Sequence, residues 1–507
     1  MTEKKRGIVL GYVLIVANAI SGILLTSILL KYLGQEEYGL YKLAASYISL
    51  ISVLDFGLGG TITRYIIKYQ TENEEKLEKE FLSTVFILYT ILAIIVLAVG
   101  IVAGIVIPTT INGFSTSQIG MFRIIMSFLS VKTSIMLYNH AYSGWFIAYE
   151  RFSYVKFSTL LQVVVKIVLV VLILPFVRSP IIVVAIDLLV TMLQLLANVY
   201  MKNNYGMGRV SFKKWNGTLF KELTIFTSAI FIASVINQFN SNIDNIVLGT
   251  YKSTIYVGLY AAIMQIYTVY ASMSTAIQDV FLPQISKTVF HNRSNNEITI
   301  GVVRPSRMQF IVLMLALTGF LLYGHDFLKI WIGKGYNSTM ITEAYWVGII
   351  ILVSSTWQLC QNSVTAVLKA KNLLRGKVIL TGLSTLVNFV LTIIWVPQYG
   401  MLGAAVATAI SMIFGYGIAT NIYYKRVVGL NLKLYYKLLL SKTWYAIGLM
   451  CCIGLLIRRI PIEGILGFGI KILIYVLLYA LILYMLGLQN EEKEKIKTDM
   501  LGILAKK

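Results

Sequence analysis

Charged side chains are scarce in this sequence of 507 residues. Asp, Glu, Lys and Arg together make up 13% of it, and only 22 residues are acidic. Soluble proteins average about 25% charged residues. Apolar residues account for 57% of the chain, and the mean hydropathy is +0.77. A soluble globule of this composition would aggregate, whereas a bilayer-spanning helix needs about 20 predominantly apolar residues. The composition therefore predicts a membrane protein.

Residues that build catalytic or metal centres are also rare. The three cysteines lie in apolar stretches without metal-ligand spacing, which argues against a disulfide framework or a zinc site. The three histidines, His140, His291 and His325, are far apart in the sequence. Nucleotide-binding and zinc-protease motifs are missing from the sequence. We therefore expect no enzyme activity, no cofactor and no metal, and transport driven by an ion gradient or the substrate gradient.

Basic residues are in excess, with 44 Lys and Arg and a net charge of +22. In a soluble protein this excess would indicate nucleic-acid binding. Here the basic residues lie between apolar runs, as the positive-inside rule describes for cytoplasmic loops. We therefore expect no nucleic-acid partner.

Apolar runs divide the chain into fourteen candidate membrane helices, at 7–30, 41–66, 81–107, 121–148, 157–176, 180–201, 222–249, 255–283, 305–330, 344–368, 378–396, 401–424, 441–460 and 464–487. With the N-terminus placed inside, and with several basic residues near span ends counted with the adjacent loop, 32 Lys and Arg fall in inside segments, 7 in outside loops and the remaining five within spans. This bias predicts a multi-pass protein of the inner (cytoplasmic) membrane with both termini cytoplasmic.

Two short similarities recur six helices apart: Tyr38–Tyr41 with Val257–Tyr260, and Leu174-Pro175 with Val396-Pro397. Parallel repeats build transporters of two lobes around a central cavity, and chance similarity is the alternative. We predict an all-α polytopic fold whose parts are a six-helix lobe (1–201), a cytoplasmic linker (202–221), a second six-helix lobe (222–424), an extra helix pair (425–487) and a cytoplasmic tail (488–507). The tail is either an interfacial amphipathic helix or a frayed polar end.

Cations lie within the predicted spans of the first lobe. Lys132 is near the middle of span four, and Lys166 is near the centre of span five. Asn139 and His140 lie two turns beyond Lys132 on the same helix face, while Arg123 is nearer the outer end. Each charge facing lipid would cost roughly 2.5–3.5 kcal/mol, so such residues usually face a cavity.

This pattern predicts an electropositive cavity that suits phosphate, with these five residues as candidate substrate ligands. The alternative is a structural ion pair of the lysines with Asp187 on span six. For Arg123 the alternative is a side chain that reaches the interface.

Span two contains the stretch DFGLGG from Asp55 to Gly60, followed by Arg64. Glycines weaken a helix and permit bending or close helix approach. One interpretation is a hinge beside an ionisable group, in which Asp55, Arg64, Gly57 and Gly59 serve coupling or gating. The other is small-residue packing with Asp55 paired locally.

Amide side chains are concentrated in spans 222–249, 255–283 and 344–368. Asn and Gln offer donors and acceptors that suit sugar hydroxyls, and hydrogen bonding between helices is the alternative. We select Gln361 and Asn362 as candidate substrate ligands.

Three stretches carry a resemblance to a known family: Leu30–Tyr41 (LKYLGQEEYGLY), Asp55–Gly59 (DFGLG) and Pro397–Thr408 (PQYGMLGAAVAT). They resemble the polysaccharide-biosynthesis flippases, which are Wzx-type members of the MOP exporter superfamily. The resemblance implies two six-helix lobes plus two helices, alternating access, and export of an undecaprenyl-diphosphate-linked oligosaccharide to the outer leaflet. Implied partners are this lipid, membrane lipids, a coupling proton or cation, a polysaccharide polymerase and glycosyltransferases.

Three other functions are alternatives. Lipid II flippases use arginines on the first helix, and this chain has none within that span. Multidrug MATE exporters share the fold class, but their often cationic cargo favours acidic cavities. A membrane glycosyltransferase or polymerase would need a large outer loop with paired acids, and the outer loops here are short.

Overall fold

The computed structural model describes residues 3–55, 58–111, 114–205, 207, 216–290, 294–461, 464–490 and 492–494. Every regular element in these ranges is helical. The α-helices are α1 (Glu3–Ile51), α2 (Leu58–Thr71), α3 (Glu75–Thr110), α4 (Thr116–Ala148), α5 (Phe152–Ile173), α6 (Pro180–Asn204), α7 (Gly217–Tyr251), α8 (Thr254–Phe290), α9 (Asn295–Trp331), α10 (Ser338–Cys360), α11 (Asn362–Ala370), α12 (Leu374–Ser411), α13 (Thr420–Tyr423), α14 (Leu432–Leu440), α15 (Thr443–Arg458) and α16 (Gly464–Ile482).

Shorter helical turns join several of these helices. Short 3₁₀ turns cover Ser52–Asp55 and Gly333–Gly335. The wider π-helical turns cover Met412–Ala419, Tyr424–Val428 and Leu483–Gly487.

The helix count agrees with the sequence. Eleven helical stretches of the described residues are long and apolar enough to cross a bilayer. Two of them, Lys5–Thr71 and Leu374–Val428, each contain two of the expected spans. Helix α7 covers a further expected span. The prediction of an all-α polytopic fold with about fourteen spans is confirmed.

Glycines interrupt the two longest helical stretches where the expected spans meet. Gly34 in α1 has φ 81° and ψ −179°, and Gly400 in α12 has φ 57° and ψ −132°. L-residues with a side chain rarely adopt these conformations. Both glycines belong to stretches that carry the family resemblance, so backbone geometry explains why those stretches contain them.

The described chain forms two compact units. Unit 1 comprises residues 1–265 and 385–407, and unit 2 comprises residues 266–384 and 408–507. The lobe boundaries expected at 201 and 222 stay a prediction. Of the expected tail, residues 495–507 lie outside the described part, so both interpretations of it stay predictions.

An aromatic cluster holds α2, α3 and α4 together in unit 1. Tyr65 stacks on Phe81 with ring centroids 5.2 Å apart, and Phe86 meets Trp145 edge-on at 6.1 Å. Trp145 is fully buried. Aromatic pairs of this geometry each contribute about 0.5–1.5 kcal/mol beyond the area they bury. The cluster thus fixes the helices that carry several candidate site residues.

Gly39, in the first of the three family-like stretches, lies at a close approach within unit 1. A Cβ atom at this position would lie 1.7 Å from the carbonyl oxygen of Thr254, the first residue of α8. No side chain fits at that distance. The contact between these two backbones therefore requires glycine.

A fully buried arginine joins several segments of unit 2, including the described residue Glu492. Arg307 on α9 donates to both carboxylate oxygens of Glu492, at 2.9 and 3.1 Å. It also donates to the backbone carbonyls of Leu438, Ser441 and Gly487 at 2.8–3.2 Å. A buried arginine is tolerated when its charge is paired and its donors are satisfied. Arg307 therefore links α9 to the segments that flank α15 and α16.

The kink at Gly34 generates a stability prediction. Gly34→Ala should destabilise the protein by about 1–3 kcal/mol, because its backbone conformation is accessible essentially to glycine alone. No atom lies within 4 Å of the added Cβ, so steric clash is not a factor. Gly11→Ala is the matched control on the same helix, since its Cβ also meets nothing within 4 Å; this change should stabilise by roughly 0.5–1 kcal/mol. The apparent melting temperature in detergent measures both, and equal shifts would contradict the kink.

Candidate cationic site

Two of the predicted lysines meet on one carboxylate in unit 1. Lys132 Nζ lies 3.3 Å from Asp187 Oδ2, and Lys166 Nζ lies 2.8 Å from Asp187 Oδ1. The side chains of the lysines are 23% and 24% exposed, and that of Asp187 is 12% exposed. Helices α4, α5 and α6 contribute one residue each. The structure therefore contains the ion pair with Asp187 that the sequence left as the alternative.

A third lysine adjoins this group and was not assigned a role from the sequence. Lys42 on α1 has its Nζ 5.4 Å from the ring centroid of Tyr38 and 5.7 Å from that of Tyr41. It is close enough to Lys166 for the two charges to interact. Among the described residues no carboxylate pairs with Lys42. A cation–π contact stabilises a desolvated ammonium by about 2 kcal/mol. This attraction offsets only part of the free-energy cost of removing the ammonium from water.

These four residues, Lys42, Lys132, Lys166 and Asp187, are named here the lysine cluster. It contains three cations and one anion, so it is net positive. Its location among membrane-spanning helices makes the excess charge costly unless water or an anion is present. The signal for Lys42 was already in the sequence, because it is a charged residue within a predicted span.

Other residues predicted with the lysines have different surroundings. Arg123 is exposed on α4, and nine residues of helix separate it from Lys132 by about 13 Å. Asn139 is buried, donates to the carbonyl of Thr191 at 3.2 Å, and accepts from Asn198 at 2.9 Å. These contacts hold α4 against α6, and a substrate role for Asn139 stays a prediction.

His140 faces Asp55 instead of the lysine cluster. Its Nδ1 lies 3.2 Å from Asp55 Oδ2, and the side chains are 42% and 22% exposed. The other oxygen, Asp55 Oδ1, is buried without a hydrogen-bond partner among the described residues. The buried Tyr89 hydroxyl interacts with the Asp55 carboxylate. This pair joins the turn before α2 to α4.

The remaining residues of the predicted hinge are only partly described. A Cβ at Gly144 on α4 would lie 2.5 Å from the carbonyl oxygen of Gly59, so α2 and α4 pack closely there. Arg64 is exposed on α2. Gly57 lies outside the described residues. The local pairing of Asp55 and the close packing at Gly59 are both present, and a hinge stays a prediction.

The two amides selected in unit 2 are bound by their neighbours. Gln361 is buried and donates to Asn421 Oδ1 at 2.8 Å and to the Tyr436 hydroxyl at 2.9 Å. Asn362 donates to the Ser274 hydroxyl at 3.0 Å. These bonds are the interhelical alternative to a sugar site, and a substrate role for either residue stays a prediction.

Comparison with known proteins identifies the family. The sequence pattern described as "Polysaccharide biosynthesis protein" matches residues 5–289, more than half of the chain and a range that includes the whole lysine cluster. The chain belongs to this family. It is therefore a multi-pass membrane protein of the polysaccharide biosynthesis protein family, as its apolar helices also indicate.

The chain is also similar to an individual relative. The "Probable flippase AglR" of Haloferax volcanii is 28% identical over 194 residues, which cover 36% of this chain and 38% of that protein. The match thus spans less than half the length of that relative.

Two solved structures have a similar fold. The structure titled "Lipid II flippase MurJ, inward closed conformation" has a TM-score of 0.74 at 17% identity, covering 94% of this chain and 98% of that one. An inward-facing multidrug resistance MATE transporter of the MOP superfamily has a TM-score of 0.67 at 14% identity, covering 81% and 96%. At these identities the likeness shows the fold alone.

The lysine cluster generates a stability prediction. Asp187→Ala should destabilise this family member by about 3–5 kcal/mol, because it removes a buried carboxylate and leaves two half-buried cations uncompensated among membrane-spanning helices. Adding Lys166→Ala to the Asp187→Ala variant should recover part of the lost stability, because it removes one of the uncompensated cations. As a control, Glu75→Ala removes a pair with Lys79 whose side chains are 85% and 62% exposed, and it should cost at most about 0.5 kcal/mol. Apparent melting temperatures of the single and double variants measure the coupling, and an Asp187→Ala protein as stable as the control variant would argue against a buried pair.

Proposed function

We propose that this protein moves a lipid-linked oligosaccharide with a diphosphate headgroup from the cytoplasmic to the outer leaflet by alternating access. The observation that carries the proposal is the excess positive charge of the lysine cluster. Membership in a polysaccharide biosynthesis family and similarity to a probable flippase support it. The proposed location is the cytoplasmic membrane, with both termini in the cytoplasm, as the loop charges predict.

A diphosphate complements the lysine cluster chemically. The headgroup must leave water to cross the bilayer, and fixed cations replace part of its hydration. Their attraction for phosphate strengthens as the surroundings become less polar than water. Each lysine ammonium has three N–H donors, so Lys132 and Lys166 can bind phosphate oxygens while Asp187 accepts one donor from each.

The three lysines would have different roles in this proposal. Asp187 holds Lys132 and Lys166 in fixed positions between α4, α5 and α6. Lys42 has no counter-charge among the described residues. An arriving diphosphate would therefore gain most from Lys42, since binding there does not compete with an existing ion pair.

The alternative functions fit this charge less well. A MATE-like multidrug/ion antiporter with cationic cargo would need an acidic site, and the lysine cluster has the opposite sign. A lipid II flippase shares the fold, so cargo must be distinguished by experiment. The family points to a transporter and not to a membrane glycosyltransferase or polymerase; such enzymes would instead be partners that supply and consume the lipid-linked sugar.

The proposal predicts that Lys42→Ala lowers export of surface polysaccharide at least about tenfold. This factor corresponds to the free energy that is usually lost with one charge-assisted hydrogen bond. Lys42→Gln should behave like Lys42→Ala because both lose the charge. Lys42→Arg should retain more export, since a mobile headgroup responds to charge more than to shape. Surface polysaccharide normalised to the amount of inserted protein is the measurement.

Lys31→Ala is the matched control, because Lys31 lies on the same helix with its side chain exposed. Its export should remain near that of the unmodified protein. A structural ion pair cannot explain a Lys42 effect, since no described carboxylate pairs with Lys42. Full export by Lys42→Ala would therefore remove the observation that carries the proposal.

We further propose that the pair of Asp55 and His140 couples transport to a proton or cation. An imidazole attracts a carboxylate as an ion only when it is protonated. The attraction within the pair therefore depends on whether the imidazole is protonated.

Asp55→Asn should abolish most transport while membrane abundance stays unchanged. Ser52→Ala, in the same turn, is the control; it removes only a bond to the Ser49 carbonyl. Normal transport by Asp55→Asn would assign the pair a purely structural role.

A further inference from the structure

Unit 2 contains a groove that the proposed transport does not use. Its volume is about 840 Å³. The walls come from α10, the π-helical turn Met412–Ala419 and the start of α14. None of its lining residues belongs to unit 1.

One side of the groove is apolar and open. Val353, Ile413, Ile418 and Ile422 line it and are each about half exposed, at 48–52%. These aliphatic side chains belong to helices that are long and apolar enough to cross a bilayer. The surface suits a hydrocarbon chain.

The floor of the groove is a rigid polar arrangement. Trp357 stacks on Tyr436 with centroids 4.7 Å apart and planes 22° apart. The Tyr436 hydroxyl accepts from Trp357 Nε1 at 3.2 Å and from Gln361 at 2.9 Å, and donates to Asn421 Oδ1 at 2.7 Å. Because these groups satisfy one another, the groove does not depend on a ligand to keep its form.

The helix that forms one wall is irregular along the groove. Two π-helical turns, Met412–Ala419 and Tyr424–Val428, follow α12. The helix ends at Gly429, whose φ is 75°. Such π-turns within helices occur frequently at functional sites. The distortion therefore coincides with the groove.

Two cations also line the groove. Lys425 and Arg426 line it and are exposed, and neither side chain forms an ion pair or hydrogen bond with another described residue. They belong to the segment between predicted spans that the loop charges place on the cytoplasmic side. Arg binds phosphate oxygens in a two-pronged geometry, and Lys adds a point charge.

We propose that this groove binds an anionic phospholipid of the cytoplasmic leaflet, with its phosphate at Lys425 and Arg426 and an acyl chain along the isoleucines. The charge complementarity between the two unpaired cations and an anionic headgroup selects this occupant. Basic pockets between membrane helices on the cytoplasmic side are known lipid-headgroup sites. The bound lipid would stabilise the irregular end of the helix that follows α12, since a ligand stabilises the state that it binds.

The test uses the full-length protein in detergent and counts bound lipid by native mass spectrometry. Phosphatidylglycerol should bind more tightly than phosphatidylcholine, which has no net charge. The double change Lys425→Gln and Arg426→Gln should weaken phosphatidylglycerol binding by about 30-fold, the effect of two juxtamembrane cations. The charge-keeping change Lys425→Arg and Arg426→Lys should bind like the unmodified protein.

A matched control separates the groove from general surface charge. Lys433→Gln with Lys437→Gln removes two exposed lysines of α14 that do not line the groove, and it should leave phosphatidylglycerol binding nearly unchanged. Equal weakening by the control pair would overturn the site, as would binding that is unaffected by the Lys425 and Arg426 changes. Displacement of phosphatidylglycerol by equimolar inorganic phosphate would overturn the acyl-chain contact. Stronger binding of a polyprenyl phosphate than of phosphatidylglycerol would assign the groove to the carrier lipid instead.

Discussion

The carboxylate of Asp187, shared by Lys132 and Lys166, is the interaction on which the candidate site depends. A charge within membrane-spanning helices is costly unless it is paired, hydrated or bound by a ligand. Asp187 meets this requirement for its two lysine partners, at 3.3 and 2.8 Å, and joins α4, α5 and α6. It does not compensate Lys42, so the cluster keeps an excess of positive charge.

The contrast with Arg307 distinguishes structure from candidate function. Arg307 is fully buried, has both its charge and its donors satisfied, and joins α9 to Glu492 and to backbone carbonyls within unit 2. Nothing remains for a ligand to bind. Lys42 is only partly buried, and its described neighbours are two tyrosine rings and another cation. A charged side chain in this protein is therefore a candidate ligand site when its charge lacks a counter-charge, and the presence of a charge alone is not enough.

Much of the fold could be predicted from the sequence, because hydropathy alone separates helices of this length from loops. The breaks at Gly34 and Gly400 fall where apolar runs meet. The proximity of Lys132, Lys166 and Asp187 could also be predicted, since all three are charged residues inside neighbouring spans. Asn139 and Gln361 could not be resolved in this way: whether an amide faces a cavity or a neighbouring helix depends on three-dimensional contacts that spacing does not encode.

The most direct test of the account is the affinity of the purified protein for a short-chain polyprenyl-diphosphate sugar, compared with the same polyprenyl sugar lacking the diphosphate. The two ligands share the chain and the sugar, so the difference isolates the phosphate groups. The account predicts that the diphosphate ligand binds at least about tenfold more tightly, as expected for charge-assisted contacts to phosphate. It also predicts that this advantage weakens with added salt. Equal affinity for the two ligands would contradict an anion site at the lysine cluster.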